Sequence, residues 1–234
     1  MPQSVAIARD FTIELIDAGF TPVTGIAEGV DSAVLKAAVE KGAPAISVLG
    51  GGHDNIYPKS NFELAKEIAK NGVVISEYPP EIAAKPYHFP VRNRILAGLS
   101  KGTLVVSAGL KSGTMYTAEY TEELGRRLFV IPYSVGVGSG EGCNELIKRG
   151  AYLTDRPSDI LDFFGIEKKE KVENFTELEK EIINALKGGE THIEKLCSLL
   201  NKRVFEIMPT LSMLEIKGVV VKSGNIYSLI KSEA

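Results

Sequence analysis

Short apolar runs alternate with helical segments from about residue 20 to residue 155, and this rhythm constrains the fold more than any other feature of the chain. Ala45-Ile-Ser-Val-Leu49 is almost continuously apolar, the mark of a strand buried on both faces of a parallel sheet. Comparable runs stand at Thr21–Gly25, Val73–Ser76, Thr103–Ser107, Leu128–Ile131 and Ala151–Thr154. Between them the spacing predicts helices over Ser32–Lys41, Asn61–Lys70, Val91–Leu99, Thr114–Gly125 and Cys143–Arg149, with a first helix over Gln3–Ala18. Glycines 19, 42, 72 and 150 stand where four of these helices should stop, and Asn61 stands where one should start. Such alternation predicts an α/β domain, a parallel sheet with helices on both faces. Ligands of such sheets bind outside the carboxyl ends of the strands. Segments 25–31, 50–54, 76–80 and 107–114 all follow strands, so they should gather along one edge. Lys111-Ser112-Gly113 should then lie near Gly50-Gly51-Gly52.

Charge singles out one stretch near that edge. From Lys85 to Lys111 there are five basic residues (Lys85, Arg92, Arg94, Lys101, Lys111) and no Asp or Glu, in a chain of net charge −3. Bases gathered in one segment of an acidic protein point to a local anion site. Tyr87-His88-Phe89-Pro90 sits directly before the arginines, and flat rings beside guanidinium groups suit single-stranded nucleic acid. The plainer alternative is a solvated helix start and a strand loop. Arg92 and Arg94, two residues apart, cannot share one helix face except at its N-terminus, and a salt bridge within the domain competes for Arg94. Glu77 is read as a cap or as a partner to a nearby arginine. His88 is read as a hydrogen-bonded loop residue rather than a proton shuttle. Gly50-Gly51-Gly52 is open to two readings, amides offered to a phosphate or a tight structural turn, and alone favours the turn.

Several function classes are excluded or disfavoured. The glycines lack the spacing of a dinucleotide fingerprint and of a Walker loop. The three histidines are scattered with no ligand-spaced Cys or carboxylate, so no metal is expected. No apolar run approaches the roughly 20 residues of a membrane span, and no signal peptide is visible. Cys143 and Cys197 form no disulfide framework, which fits a reducing cytoplasm. Cys143, at a helix start, is a site where a thiol pKa is lowered, but no His partner supports a nucleophile.

Residues 1–161 make the α/β domain and 162–174 a charged linker. Residues 175–234 form a small unit: three helices (to Leu186 after a Thr176/Glu179 capping box, Ile193–Leu200, Arg203–Ile216), then a hairpin turning at Ser223-Gly224-Asn225. That order predicts a winged helix-turn-helix. From residue 170 on there are nine Lys/Arg against ten Asp/Glu, a balance of −1, which favours a protein-contact or structural role over DNA reading.

The motifs Thr24-Gly-Ile-Ala-Glu-Gly-Val-Asp31, Val48-Leu-Gly-Gly-Gly-His-Asp54, Ile56-Tyr-Pro58, Ser76-Glu-Tyr-Pro-Pro80, His88-Phe-Pro-Val-Arg-Asn-Arg-Ile-Leu-Ala-Gly-Leu-Ser100, Leu110-Lys-Ser-Gly113 and Gly142-Cys-Asn-Glu-Leu-Ile-Lys148 occur in this order. The series resembles the DNA-processing protein A family (DprA, also called Smf) over about residues 20–155. The resemblance implies an extended Rossmann domain that binds single-stranded DNA without sequence preference, dimerises, and helps load a RecA-type recombinase during natural transformation. It implies no catalysis and no cofactor. Carried over to this sequence, its anion pocket uses Arg92, Asn93, Arg94 and Lys111. Phe89, Ser112, Gly113, Gly50, Gly51 and Gly52 lie in the matching motifs, and Lys59 and Lys85 lie close to them.

One departure stands out. The family opens this domain with a strand ending in Gly-Ser/Thr-Arg, whose arginine belongs to the DNA pocket; here the first helix follows Met1-Pro-Gln-Ser at once. Either the reading frame starts late or the protein is a shortened relative. Because the first strand of a doubly wound sheet is central, an unfilled slot or a substitute strand is expected. Residues 85–113 would then carry most of any DNA affinity.

Two rival readings remain. The fold also resembles phosphoribohydrolases of nucleoside monophosphates, whose Pro-Gly-Gly-x-Gly-Thr-x-x-Glu loop corresponds here to Leu110-Lys-Ser-Gly-Thr-Met-Tyr-Thr-Ala-Glu119. The double glycine is missing and the carboxylate lies two residues too far on. A nucleotide-sensing module is the other.

Overall fold

A computed structural model describes residues 2–166 and 175–230. The chain divides into two compact units, Met1–Lys169 and Glu170–Ala234.

The first unit runs α1 (Pro2–Asp17), β1 (Val23–Thr24), α2 (Val30–Glu40), β2 (Ile46–Val48), α3 (Phe62–Asn71), β3 (Val73–Ile75), α4 (His88–Leu99), β4 (Gly102–Val105), α5 (Thr114–Glu123), β5 (Arg127–Val130), α6 (Glu141–Lys148), β6 (Tyr152–Leu153) and α7 (Ser158–Phe163). All its strand pairs are parallel, as the apolar runs predict. They form two three-stranded sheets, β1-β2-β3 and β4-β5-β6. Ile46 sits opposite both Val23 and Val73, and Phe129 opposite both Leu104 and Tyr152. Among the described residues no strand pairs with the free edge of β1 or of β4.

Helices span what the ladder does not. Ala8 and Phe11 of α1 and Ala33 of α2 pack with Val106, Phe129 and Ile131 of the second sheet and its strand ends. The inner face of α2 also packs, through Leu35 and Ala38, on Ala45 and Leu49 of the first sheet and on Ala65 and Ile68 of α3. Burial of these side chains, worth about 1.5–3 kcal/mol for each of the larger ones, holds the halves together. A helix absent from the sequence reading, α7, buries Ile160 and Leu161 and stacks Phe163 edge-on to Phe129, with ring centroids 5.4 Å apart. Asn61 precedes α3 but does not cap it with its side chain; the amide instead donates to the Ile26 carbonyl (2.7 Å) and to Ser32 Oγ (3.0 Å).

The glycine triplet after β2 is a packing device. A Cβ on Gly50 would sit 2.8 Å from the Phe89 ring, and one on Gly51 2.7 Å from the Ala84 nitrogen. One on Gly52 would overlap the carbonyl oxygens of Pro79 and Pro80. The Gly52 amide is already engaged, donating to the Ile82 carbonyl at 2.7 Å. Only a residue without a side chain lets segment 79–84 lie this close.

The second unit contains α8 (Glu177–Leu186), β7 (Thr191–His192), α9 (Ile193–Leu200), α10 (Val204–Ile216), β8 (Val220–Ser223) and β9 (Ile226–Leu229), with antiparallel sheet order β7-β9-β8. This is the winged-helix arrangement, with the short β7 as an addition. Ile182, Leu186, Leu196, Ile207, Leu211, Leu214, Val220 and Tyr227 form its core. Both halves of the Thr176/Glu179 capping box are present. The linker run at 167–171 lies outside the described residues. No described helix is long and apolar enough to cross a membrane.

Two predictions follow from these contacts. Gly52→Ala should destabilise the first unit by about 1–3 kcal/mol or more, because the clash is with backbone that cannot swing aside; equilibrium urea unfolding reads the loss. The buried Glu179 accepts from Lys217 Nζ at 2.6 Å and from the Thr176 amide, and these bonds, the lysine first, hold its carboxyl below the ordinary 4.5. Its stabilising contribution is therefore complete above pH 4.5 and is lost as pH falls through the lower folded-state value. Thermal melting of the second unit should drop across that acidic window, and Glu179→Gln should flatten the drop while lowering the melting temperature at neutral pH.

Candidate nucleic-acid interface

The candidate site is built around the first two turns of α4. This helix begins at His88, three residues before the predicted start, because Pro90 falls within its first turn, where a missing amide proton costs nothing. His88 is buried, its Nδ1 lies 2.8 Å from the Gly50 carbonyl oxygen, and its ring stacks on Tyr78 at 4.1 Å. A contact with a carbonyl requires the proton on Nδ1, so this histidine is a tether between α4 and the glycine triplet.

Arg92 and Arg94 point to different places, as a spacing of two on a helix demands. Arg92 is only 6% exposed. Its guanidinium donates to the Val48 carbonyl at the end of β2 and, through Nε, to Asn93 Oδ1 at 3.2 Å. It lies against Gly25 and the Asp31 carboxylate, where any side chain on residue 25 would collide with both. Burial pulls its pKa down and the Asp31 charge opposes that pull. Asp31 is held in turn by Thr24 Oγ1 (2.6 Å) and the Ala27 amide (3.0 Å). Asn93, also buried, donates from Nδ2 to the Gly113 carbonyl at 3.1 Å. The adjacent pair Arg92-Asn93 thereby joins the ends of β1 and β2 to the loop after β4.

Arg94 is exposed and pairs with Glu77, the arginine partnership foreseen for that carboxylate. Exposed pairs of this kind contribute about 0–1 kcal/mol, so a phosphate can displace Glu77 at little cost. Lys111 is exposed, and among the described residues it has neither an ion pair nor a hydrogen bond. It stands three residues before α5, whose first turn contains no acidic residue, and the first turn of α4 contains none either. A helix start free of carboxylates favours an anion through its dipole. Ser112 Oγ accepts from the Thr114 amide at 3.2 Å and so shapes the loop, while Gly113 has open space where a Cβ would be.

Lys85 is exposed, with its ammonium 5.9 Å from the Tyr87 ring centre. Phe89 is half-buried against Gly50, with the Arg92 guanidinium 5.9 Å from its ring centre. Lys59 lies apart from Lys111, on a short 3-10 turn before α3, and lines an open cavity with Tyr57 and Phe62. The structure thus ties the Lys111-Ser112-Gly113 loop to α4 through Asn93, one residue before Arg94. Arg92 and the three glycines are buried, and Lys59 stands on the turn before α3.

Groups suited to acid–base or nucleophilic chemistry are poorly placed for it. The Cys143 thiol is fully buried and burial pushes its pKa up, the reverse of an activated cysteine. Glu119 is exposed on α5, more than a turn beyond its start. Among the described residues no group of three His, Cys, Asp or Glu is arranged to hold a metal ion.

Known proteins resemble this chain in sequence and in fold. The sequence profile of the DNA recombination-mediator protein A family matches residues 1–165. Protein Smf of Escherichia coli strain K12 is 41% identical over 155 residues, 66% of this chain and 41% of that protein. DNA processing protein DprA of Streptococcus pneumoniae is 42% identical over 142 residues, 61% of this chain and 50% of that protein. The chain thus spans about half the length of these relatives or less. A match to a putative DprA of Mycobacterium tuberculosis extends into the second unit, covering 91% of this chain at 30% identity. The crystal structure of S. pneumoniae DprA superposes with a TM-score of 0.66 at 38% identity, covering 69% of this chain and 57% of that one. A structure of DprA from Helicobacter pylori, described for its single-stranded DNA binding mode, gives a TM-score of 0.64 at 31% identity and covers 70% of this chain and 74% of that one. With a family profile matched across the whole first unit and relatives sharing up to 42% of aligned residues, the chain belongs to the DNA recombination-mediator protein A (DprA/Smf) family.

Proposed function

We propose that the first unit binds single-stranded DNA through its phosphates, without sequence preference and without catalysis, and that the protein acts in DNA recombination as a mediator. The observation that carries this reading is Lys111, exposed and without an ion pair or hydrogen bond among the described residues, in a loop tied to α4 by the Asn93–Gly113 bond. Lys111, Arg94 and Lys85 supply the charges. Tyr87 and Phe89 offer rings on which a base can stack. Arg92 contributes from below, by holding the strand ends and Asn93 in place. The H. pylori relative, described as binding single-stranded DNA, supports the choice of ligand.

Family membership supports the rest: a RecA-type recombinase as partner, a homodimer as the working state, the cytoplasm as the site of action, and no cofactor. In the second unit, α10 exposes Phe205, Met213 and Ile216 where a DNA-reading helix would carry bases. This supports a protein-contact role for the winged helix. The phosphoribohydrolase and nucleotide-sensing readings draw no comparable support, given the position of Glu119 and the buried Cys143.

Titration of a labelled thymidine oligonucleotide at low salt, followed by anisotropy, tests the reading. Lys111→Ala and Arg94→Ala should each weaken binding about tenfold, the value of one charge-assisted contact, and leave the melting temperature unchanged. Arg92→Ala should instead lower stability by about 1–3 kcal/mol, because it leaves the buried Val48 carbonyl without its donor. An oligonucleotide that does not bind, or affinity indifferent to both surface substitutions, would refute the assignment.

A further inference from the structure

Helix α10 is apolar on two sides. Its inner face, Ile207, Leu211 and Leu214, is buried in the core of the second unit. Its outer face carries Phe205, Pro209, Met213 and Ile216, at spacings of four, four and three residues that keep them in one stripe. Phe205, Met213 and Ile216 are 63%, 50% and 80% exposed, and Pro209 is exposed as well. A surface helix normally turns charged and polar residues outward, whereas one that is apolar all round is buried on all sides. Among the described residues nothing covers the outer stripe, and a contiguous apolar patch of this kind marks a contact with another chain.

The stripe fits a second copy of itself. Two α10 helices laid side by side and antiparallel are related by a two-fold axis at the level of Leu211. Pro209 and Met213, two residues either side of Leu211, then meet across the axis. At each end of the contact Phe205 of one copy meets Ile216 of the other. The flanking charges agree with this register. At about 100° per residue, Glu206 and Lys217 fall on the same flank of the stripe, and a two-fold axis perpendicular to the helices sets that flank against itself. Glu206 then stands level with Lys217 of the second copy. Both groups have bonding capacity left. Glu206 uses Oε2 to accept from the Arg203 amide (2.8 Å), and among the described residues its Oε1 has no hydrogen bond. Lys217 donates to Glu179 at 2.6 Å, one of three N–H groups on its ammonium. The stripe itself holds no Lys, Arg, Asn or Gln, the side chains with which a groove-reading helix recognises base edges.

We infer that the outer face of α10 is a self-association surface, on which two copies of the chain pair through antiparallel α10 helices. This rests on the protein-contact reading of the second unit and supplies its partner. The contact lies wholly within the second unit, so it is independent of the DNA-binding reading of the first. Because the same patch serves both copies, the pairing closes at two chains and leaves no stripe exposed.

Ser212 lies beside the stripe and next to Leu211, so Ser212→Cys brings two thiols close together in the pair. Ser198, exposed on α9, gives a control position as Ser198→Cys. The full chain with either substitution is treated with a short bis-maleimide, and the native chain, which holds Cys143 and Cys197, sets the background. Ser212→Cys should give a cross-linked pair, and Ser198→Cys no more than background. On the Ser212→Cys chain, Ile216→Glu and Phe205→Lys should each cut the product by about tenfold and leave the melting temperature unchanged, because each sets a charge against an apolar partner. Mixing those two variants should restore the product, since the introduced charges then face each other across the contact. Equal cross-linking at both positions, no loss with either variant, or no recovery on mixing would overturn the pairing. An absence of product while Ser212→Cys is freely alkylated would also overturn it, leaving the face to a different protein. Protection of Ser212→Cys from alkylation by duplex DNA would overturn both the pairing and the protein-contact reading.

Discussion

The buried guanidinium of Arg92 is the interaction on which the rest of the first unit depends. No ladder of hydrogen bonds joins β1-β2-β3 to β4-β5-β6 among the described residues. The two sheets meet through helices, and at their carboxyl ends through two adjacent residues of α4. Arg92 grips the first sheet at Val48 and beside Asp31, and Asn93 grips the second at Gly113. A charge held this deep is stable only while its hydrogen-bond acceptors stay in place. The same helix presents Arg94 at the surface. A helix start fixed in this way lowers the cost of ordering the exposed side chains on it when a polyanion arrives.

The surface itself has little attraction that would act at a distance on anything but a polyanion. The whole chain is mildly acidic, so the basic segment 85–111 stands against a repulsive background. Arg94 is screened by Glu77 until a stronger anion displaces it. Together these features favour ligands that bring several phosphates at once over single mononucleotides. They also separate residues that share a motif: Arg92 and Asn93 are buried and bonded to strand ends and a loop, while Arg94 is exposed.

Much of the architecture was legible in the sequence because both of its periods are strong. Runs such as 45–49 and 128–131 marked buried parallel strands, and the gathering of loops at one sheet edge followed from topology alone. The Thr176/Glu179 capping box and the turn at Gly224, where φ is +62°, were visible as local chemistry. What escaped was set by tertiary contact. Helix α7 is six residues long, too short for a periodic signal, and exists because Phe129 and Tyr152 offer rings to Phe163. The glycine triplet alone favoured a tight turn over phosphate amides, but the segment 79–84 that packs on it was not foreseen. Nothing local to Arg92 announces that it turns inward, and nothing local to Phe62 announces that it stays outside.

The central claim is that a small set of exposed cations, held above the Arg92 cluster, binds phosphates of a single strand. The dependence of affinity on salt measures it most directly. Each neutralised phosphate on single-stranded DNA contributes about −0.7 to the slope of log K against log salt concentration, so engagement by Lys111, Arg94 and Lys85 predicts a slope near −2, the same for mixed and homopolymeric sequences. A slope indistinguishable from zero, or one that changes with base sequence, would contradict the account.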